Sequence, residues 1–254
     1  MPVSASLGTA LSAALCPSPG LAVGATVNGA VFAAGMPMLL RGLTPAGVAH
    51  AAVLGTLVYS AFGPGGYLLV CLYFLVGSAV TKLRLAQKQA EGIAEARSGR
   101  RSPASVWGSG AAGAACAVAA LCGWPPHPWI WRTAFVASLA SKLGDTTSSE
   151  VGKAYGRTTY LVTTLQRVPR GTEGAVSAEG TLAGIAAAAC MATAALAAAQ
   201  VRAARVATTK LCSEATCADR CFGLGDSRDR SICGEHCREL RGCNAARPSF
   251  VADE

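Results

Sequence analysis

Apolar and small residues run together along this chain in six blocks, at about residues 20–40, 45–62, 65–81, 105–122, 128–140 and 175–201. A helix that crosses a bilayer core needs about 20 mostly apolar residues, and most of the blocks approach that length. The block at 128–140 is short and needs its flanks, and an earlier apolar run at 4–16 falls short of a span. Pro17 and Pro19, the Gly63-Pro64-Gly65-Gly66 run, and Pro125, Pro126 and Pro128 punctuate the blocks as turns. The pattern predicts an all-α, polytopic membrane protein of about six transmembrane helices. Its membrane domain covers residues 20–201, after an N-terminal segment 1–19 and before a polar tail 202–254.

The polar positions between blocks set the orientation. With six spans, Arg41, the 82–101 segment and the 142–170 segment all fall on one side, and together they hold twelve Lys and Arg. The other side receives few before the tail, with Arg132 near a helix end. An excess of Lys and Arg marks the cytoplasmic side or its topological equivalent, so one face is polar and basic. Composition agrees: 52% of the residues are hydrophobic and 14% charged, where soluble domains carry about a quarter charged. Mean hydropathy is +0.39. The hydrophobicity comes from Ala, Val, Leu and Gly, the small-residue usage of close-packed membrane helices. The net charge of +8 does not imply a nucleic-acid partner, because the basic residues lie in short segments between apolar blocks and not along one stripe.

The first basic segment, "TKLRLAQKQAEGIAEARSGRR", reads as a helix extending out of the membrane. It is either a solvated helix that holds topology or a collector of anionic substrate through Lys82, Lys88 and Arg100. The "GSGAAG" that follows suits close helix packing.

The second segment, "SKLGDTTSSEVGKAYGRTTYLVTTLQRVPRGTEGAVSAEGT", carries the candidate chemistry. At 100° per residue, Lys142, Asp145, Ser149, Gly152, Lys153 and Gly156 share about a third of a helix circumference. A carboxylate there can bind Mg²⁺, lysines can bind phosphate oxygens, and glycines let a bulky ligand approach. Glu150 lies off this face, so either the helix breaks locally or Glu150 holds another partner. Downstream, Gly171, Gly174 and Gly180 free the backbone, Thr172, Ser177 and Thr181 supply hydroxyls, and Arg170 supplies a planar fork for phosphate. Ser177 reads as the N-cap of the last span, and a helix N-terminus favours anions. No Walker pattern is present. A polar interfacial loop whose charges pair with one another is the competing reading.

"SKLGDTTSSEVGKAYGRTTYLVTT" and "VPRGTEGAVSAEGTLAG" resemble the signature of an integral-membrane family that includes plastid phytyl-phosphate kinase of the tocopherol pathway. "GTLVYSAFGPGGYLLVCLYFLVGSAVTKLRLAQKQAEG" and "GRRSPASVWGSGAAG" extend the likeness, which spans residues 20–200 and is closest to plant and algal members. The resemblance implies phosphoryl transfer from CTP, or another nucleoside triphosphate, to phytyl phosphate. It also implies phytyl diphosphate as product, with phytol drawn from chlorophyll breakdown, and a chloroplast envelope location. On the residues' own chemistry, Asp145 with Glu150 would hold Mg²⁺, while Lys142, Lys153, Arg157 and Arg170 would neutralise phosphates. The attacking group is already an oxyanion, so no strong general base is required. His50, His127 and His236 have no assigned role.

The tail departs from the family pattern, in which further apolar segments follow the "GTLAG" helix. It holds Cys212, Cys217, Cys221, Cys233, Cys237 and Cys243, with two C-x3-C pairs that could bind zinc or form a disulfide-linked hairpin. A misjoined gene model is the alternative. The other five cysteines are expected as reduced packing residues. Residues 1–40 lack acid, as a plastid transit peptide should, but also lack Lys and Arg, so a plastid location rests on the resemblance. A kinase of another polyprenol or polyprenyl phosphate, and a non-enzymatic transporter or scaffold for an anionic lipid, are the rival readings. A transporter should carry two corresponding halves, and the 142–181 pattern has no second copy.

Overall fold

The computed structural model describes residues 14–16, 18–125 and 127–223, the stretch 205–223 as backbone alone. Helix α1 covers Leu21–Gly42 and α2 covers Pro45–Thr81, entered through Thr44, whose hydroxyl accepts the Gly47 N–H at 3.1 Å. A short α3, Leu85–Ala90, and a single 3₁₀ turn, Ala96–Gly99, lead to α4, Pro103–Leu121. Then follow α5, Pro128–Tyr155, three short strands and α6, Ala178–Gly223. Strands β1 (Thr159–Leu161), β2 (Arg167–Val168) and β3 (Ala175–Val176) form a small antiparallel sheet ordered β2-β1-β3.

The 37-residue α2 is a hairpin of two apolar arms. Its backbone leaves helical geometry at Gly63 (φ 65°, ψ −162°), a conformation that favours glycine, and Pro64 follows. A Cβ on Gly55 would sit 3.2 Å from the Tyr67 ring, and the Tyr59 and Tyr67 rings meet edge to face at 5.4 Å. In a straight helix, residues 55 and 67 would stand about 18 Å apart. Both ends of α2 also return to one residue. Thr44 donates its N–H to the Arg101 carbonyl at 3.0 Å, and the Arg101 guanidinium lies against Gly77.

Among the described residues, four helices are long and apolar enough to cross a membrane: Leu21–Gly42, Pro45–Thr81, Pro103–Leu121 and Ala178–Ala204. Counting the hairpin as two arms, and adding the apolar first half of α5, gives the six arms expected from the sequence. With 28 residues α5 is about 42 Å long, more than a hydrocarbon core of about 30 Å, so its polar second half projects from the apolar layer. The last helix starts later than the 175–201 block suggested, because Ala175 and Val176 pair with β1. Ser177 caps it as expected, accepting the Gly180 N–H at 3.1 Å. The 82–101 segment is not one projecting helix. Its backbone turns at Arg84 (φ 46°) and Gly92 (φ 71°), and it lies back against α5.

Small residues set the helix contacts. A Cβ on Gly24 would collide with the Ser60 hydroxyl, and one on Gly110 would lie 2.5 Å from Leu54. Between α5 and α6 the approach is backbone to backbone: a Cβ on Gly184 would lie 2.8 Å from the Gly144 carbonyl oxygen, and one on Gly180 2.5 Å from that of Ser148. Such small-residue seams hold membrane helices through close packing. Gly184→Val will therefore separate α5 from α6 and lower the melting temperature of the detergent-solubilised protein, whereas Gly29→Val, which meets nothing within 4 Å, will leave it near wild type. A polar cluster centred on Asn28 joins α1 to both arms of α2. Asn28, 2% exposed, donates to the Ala52 carbonyl (2.8 Å) and Thr56 Oγ1 (3.1 Å) and accepts the Tyr67 hydroxyl (2.7 Å). The apolar core gathers Val58, Phe62, Phe135 and Leu139, with the Phe62 and Phe135 rings 4.7 Å apart.

From Ala199 onward the chain forms a second unit, of which only the helical backbone to Gly223 is described. The N-terminal segment up to residue 13, the tail from residue 224 with Cys233, His236, Cys237 and Cys243, and the side chains of Cys212, Cys217 and Cys221 lie outside the described residues. Of the other cysteines, Cys71, Cys116, Cys122 and Cys190 are free thiols; Cys116 is buried in the packing, whereas Cys122 and Cys190 are exposed. The topology has a direct check in a cysteine-free background. Gln89→Cys and Thr158→Cys will react with an impermeant maleimide from the same side, and Trp124→Cys from the other.

Candidate active site at the basic face

Both basic segments meet at one end of the bundle. Lys88, on α3, is 1% exposed and donates from Nζ to Glu150 Oε2 (2.5 Å) and to the Thr81 carbonyl (2.8 Å). Lys153 reaches the other oxygen of Glu150 at 3.3 Å. Arg84 donates to the Ala154 carbonyl at 3.2 Å and stacks over the Tyr155 ring at 4.2 Å. Arg170 gives its Nη2 to both oxygens of Glu91, at 2.5 and 2.6 Å. Hydrogen bonds from Gln87 and then Arg170 hold the Glu91 carboxyl below the usual carboxylate range. That tether is therefore in place at neutral pH and is lost as the pH falls through the lowered pKa of the folded state.

Beside the Lys88–Glu150 pair lies a polar cavity of about 320 Å³, with Glu150 in its wall. One wall is the end of α2, with Tyr73 and Thr81, and the loop residues Glu95, Gly99, Arg100 and Arg101. The first turns of α4 supply Ser105, Gly108 and Ser109, and α5 supplies Lys142, Asp145, Thr146, Ser149 and Glu150. The loop is pinned by backbone bonds from Arg101 N–H to the Gly42 carbonyl (2.9 Å) and by Arg100, which donates to the Leu43 carbonyl (3.0 Å from Nη2). Helix α4 begins there, with Ser102 accepting the Ser105 N–H at 3.4 Å and Pro103 in the first turn. Below lies a second, apolar cavity of about 250 Å³ between α1, the α2 hairpin, α4 and α5. Tyr73, Arg101 and Ser109 line both.

The expected site residues divide into two groups. Lys142, Asp145 and Ser149 share the predicted helix face and line the cavity, with Asp145 bonded to Lys142 at 2.8 Å and mostly exposed. The α5 helix does not break at Glu150, whose partners are Lys88 and Lys153. The structure does not bring the remaining residues to this cavity. Lys153 turns to Glu150, Arg157 is exposed beyond α5, and Arg170 is engaged by Glu91. Gly171 packs on Ile93, Thr172 donates to the Pro169 carbonyl at 2.7 Å, and Gly174 turns the chain into β3 at φ 74°. Ser177, Gly180 and Thr181 form the first turn of α6, where Gly180 faces Ser148 and Gly152. The open approach expected at Gly152 and the backbone freedom expected at Gly180 serve this helix crossing.

Sequence reasoning missed Arg101, Tyr73, Glu95 and Ser109. Glu95 adds a second exposed carboxylate to Asp145 in the cavity lining. Among the described residues no group of three His, Cys, Asp or Glu side chains gathers. Mg²⁺ is ordinarily held by one or two carboxylates plus substrate phosphates and water rather than by an all-protein cage. Asp145 and Glu95 fit that use, whereas both oxygens of Glu150 are already bonded to lysines.

A membrane bundle with a charged cavity at its basic face defines a class, and sequence comparison supplies the family. Residues 28–223 match the family described as Integral membrane protein DUF92, and the chain belongs to it. Protein VTE6, chloroplastic, from Arabidopsis thaliana is 52% identical over 159 residues, covering 62% of this chain and 48% of that protein. Uncharacterized membrane protein sll0875 from Synechocystis is 59% identical over 147 residues, covering 57% and 56%. Uncharacterized membrane protein MJ0933 from Methanocaldococcus jannaschii is 30% identical over 146 residues, covering 57% and 58%. The chain thus spans about half the length of the curated relatives it matches. No solved structure matches.

Proposed function

We propose that this protein is a phytyl-phosphate kinase of a chloroplast membrane, acting in tocopherol synthesis. The observation that carries the proposal is a cavity of mixed charge at the membrane edge, directly above an apolar cavity between the helices. An isoprenoid phosphate needs both environments, and a nucleoside triphosphate needs the first. The motif resemblance to a family with a plastid phytyl-phosphate kinase supplies the substrate class, and the likeness to Protein VTE6, chloroplastic, supports the plastid location.

Phosphoryl transfer asks a protein chiefly for positioning and charge neutralisation. An oxygen of phytyl phosphate attacks the γ-phosphorus of CTP. The bond from that phosphorus to the β,γ-bridging oxygen breaks, so CDP leaves as phytyl diphosphate forms. Lys142 and Arg100 offset the phosphate charge of both substrates, and the α4 N-terminus adds partial positive charge. Asp145 and Glu95 would hold Mg²⁺, which would supply positive charge to offset that of the nucleotide phosphates. Lys88 and Lys153 act through Glu150, fixing the α3 loop against α5.

The testing experiment supplies phytol, phytyl phosphate and geranylgeranyl phosphate, each with CTP, ATP, GTP or UTP, to membranes containing the full chain. Phytyl diphosphate from phytyl phosphate and CTP is the expected product. Product from phytol alone would make the protein a polyprenol kinase, and no product from any pair would favour an anionic-lipid carrier. Arg170 has its own check. If it serves only to tether Glu91, then Arg170→Ala and Glu91→Ala will lower turnover equally and the double variant no further. A larger loss for Arg170→Ala alone would place its guanidinium on phosphate.

A further inference from the structure

We infer that Arg101 is the residue that binds the lipid phosphate, and that the apolar cavity running past Gly35 measures the isoprenyl chain; this inference rests on the isoprenoid-phosphate reading of the site. The occupant is a single-chain isoprenyl monophosphate. Three observations carry the assignment. Tyr73, Arg101 and Ser109 are common to the walls of the polar and the apolar cavity. A molecule lying in both must pass them, and its polar end must meet them.

The second observation is the electrostatic situation of Arg101. Its Nη1 donates to the Tyr73 hydroxyl at 2.9 Å, and its guanidinium carbon lies 4.8 Å from the centre of the Tyr73 ring. Ser109 and Thr146 also approach that hydroxyl. Among the described residues no carboxylate pairs with Arg101, whereas Lys88, Lys142, Lys153 and Arg170 each have one. Arg101 is only partly exposed, and its guanidinium lies against Gly77 and the Tyr73 hydroxyl, whose residues stand four and eight positions inside the end of α2. A cation placed at that depth without an anionic partner marks a functional position. Its planar fork matches a phosphate with two parallel hydrogen bonds. The backbone bonds at Gly42 and Thr44 hold the fork at the junction, so the phosphate meets a preset group.

The third observation is the shape of the apolar part. It follows α1 from Leu43 back to Val31, a stretch of about 18 Å at helical rise. Gly35 lines it, and a Cβ there would meet nothing within 4 Å. A side chain at 35 therefore extends into open volume and shortens the space without displacing a neighbour. A long isoprenyl chain needs that space, and a ten-carbon chain anchored at Arg101 does not.

The test uses the purified full chain in detergent with two readouts. The first is equilibrium binding, without nucleotide, of phytyl phosphate and of phytol. Wild type will bind the phosphate at least tenfold tighter than the alcohol. Arg101→Gln will abolish that preference while phytol binding persists, which shows that the apolar cavity is still formed, and Arg101→Lys will restore part of it. The second compares geranyl, farnesyl, geranylgeranyl and phytyl phosphates. Gly35→Phe will weaken binding of the two longest at least tenfold and leave geranyl phosphate near its wild-type value. An undiminished preference for phosphate in Arg101→Gln, or equal loss across the chain lengths in Gly35→Phe, would overturn the assignment. Binding that obeys these rules without turnover on any nucleotide would leave this inference standing and remove the kinase reading instead.

Discussion

Asp145→Asn will lower phytyl diphosphate formation roughly a hundredfold or more, the scale on which loss of one preorganised charge contact acts in a transition state. Asp145 lies in the wall of the charged cavity, and its one side-chain bond is to Lys142, three residues earlier on the same helix. Exposed i,i+3 pairs contribute about 0.2–0.5 kcal/mol. A purely structural Asp145 would thus lose little stability and little turnover on conversion to the amide. A metal-binding Asp145 loses the charge while keeping the shape, so chemistry falls while insertion and melting temperature stay near wild type. Raising Mg²⁺ or Mn²⁺ will recover part of the rate in a weakened metal site. Near-normal turnover of Asp145→Asn at ordinary Mg²⁺ would remove Asp145 from the metal site and leave Glu95 as the carboxylate to test.

Lys88→Met will have the largest effect on stability. The Lys88 and Glu150 side chains are 1% and 3% exposed, and their ion pair closes the α3 loop onto α5. Removing one partner of a buried pair leaves a charge without compensation and typically costs about 3–5 kcal/mol. Lys153 softens the loss, since it contacts the other Glu150 oxygen from a more exposed position. Replacing both partners, as Lys88→Met with Glu150→Leu, will recover much of the melting temperature, because the costly element is the orphaned carboxylate and not the missing attraction. Turnover in the double variant will remain low, since Glu150 is also part of the cavity wall. A single variant that melts with wild type would show that Glu150 is solvated or protonated.

The helical layout was legible because the apolar blocks, the glycine and proline turns and the loop charges obey one constraint, the thickness of a bilayer. The same pattern showed the α2 hairpin: the blocks at 45–62 and 65–81 meet at Gly63 and Pro64, and the fold-back between Gly55 and Tyr67 fulfils that turn. The α5 face of Lys142, Asp145 and Ser149 was readable from helical periodicity. Glu150 was readable only as an exception, because its partner Lys88 is 62 residues away and no local spacing encodes that pairing. The glycines and hydroxyls of 171–181 admit two readings for a physical reason. A loop that cradles phosphate and a seam where two helices touch both require small residues, and Gly180 and Gly184 serve the seam. Arg101 escaped notice as one more basic residue in a basic segment. Its distinction is tertiary: the α2 hairpin brings Tyr73 beneath it, and among the described residues no acidic side chain is paired with it.

The central claim is phosphoryl transfer onto a lipid phosphate at this cavity. The most direct measurement follows the label from γ-³²P CTP after incubation with phytyl phosphate and the purified full chain. Wild type should carry the label into an organic-soluble diphosphate with release of CDP, and Asp145→Asn, though still binding phytyl phosphate, should leave it on the nucleotide. Label retained on CTP or freed as inorganic phosphate in the wild-type reaction, with phytyl phosphate unchanged, would contradict the account.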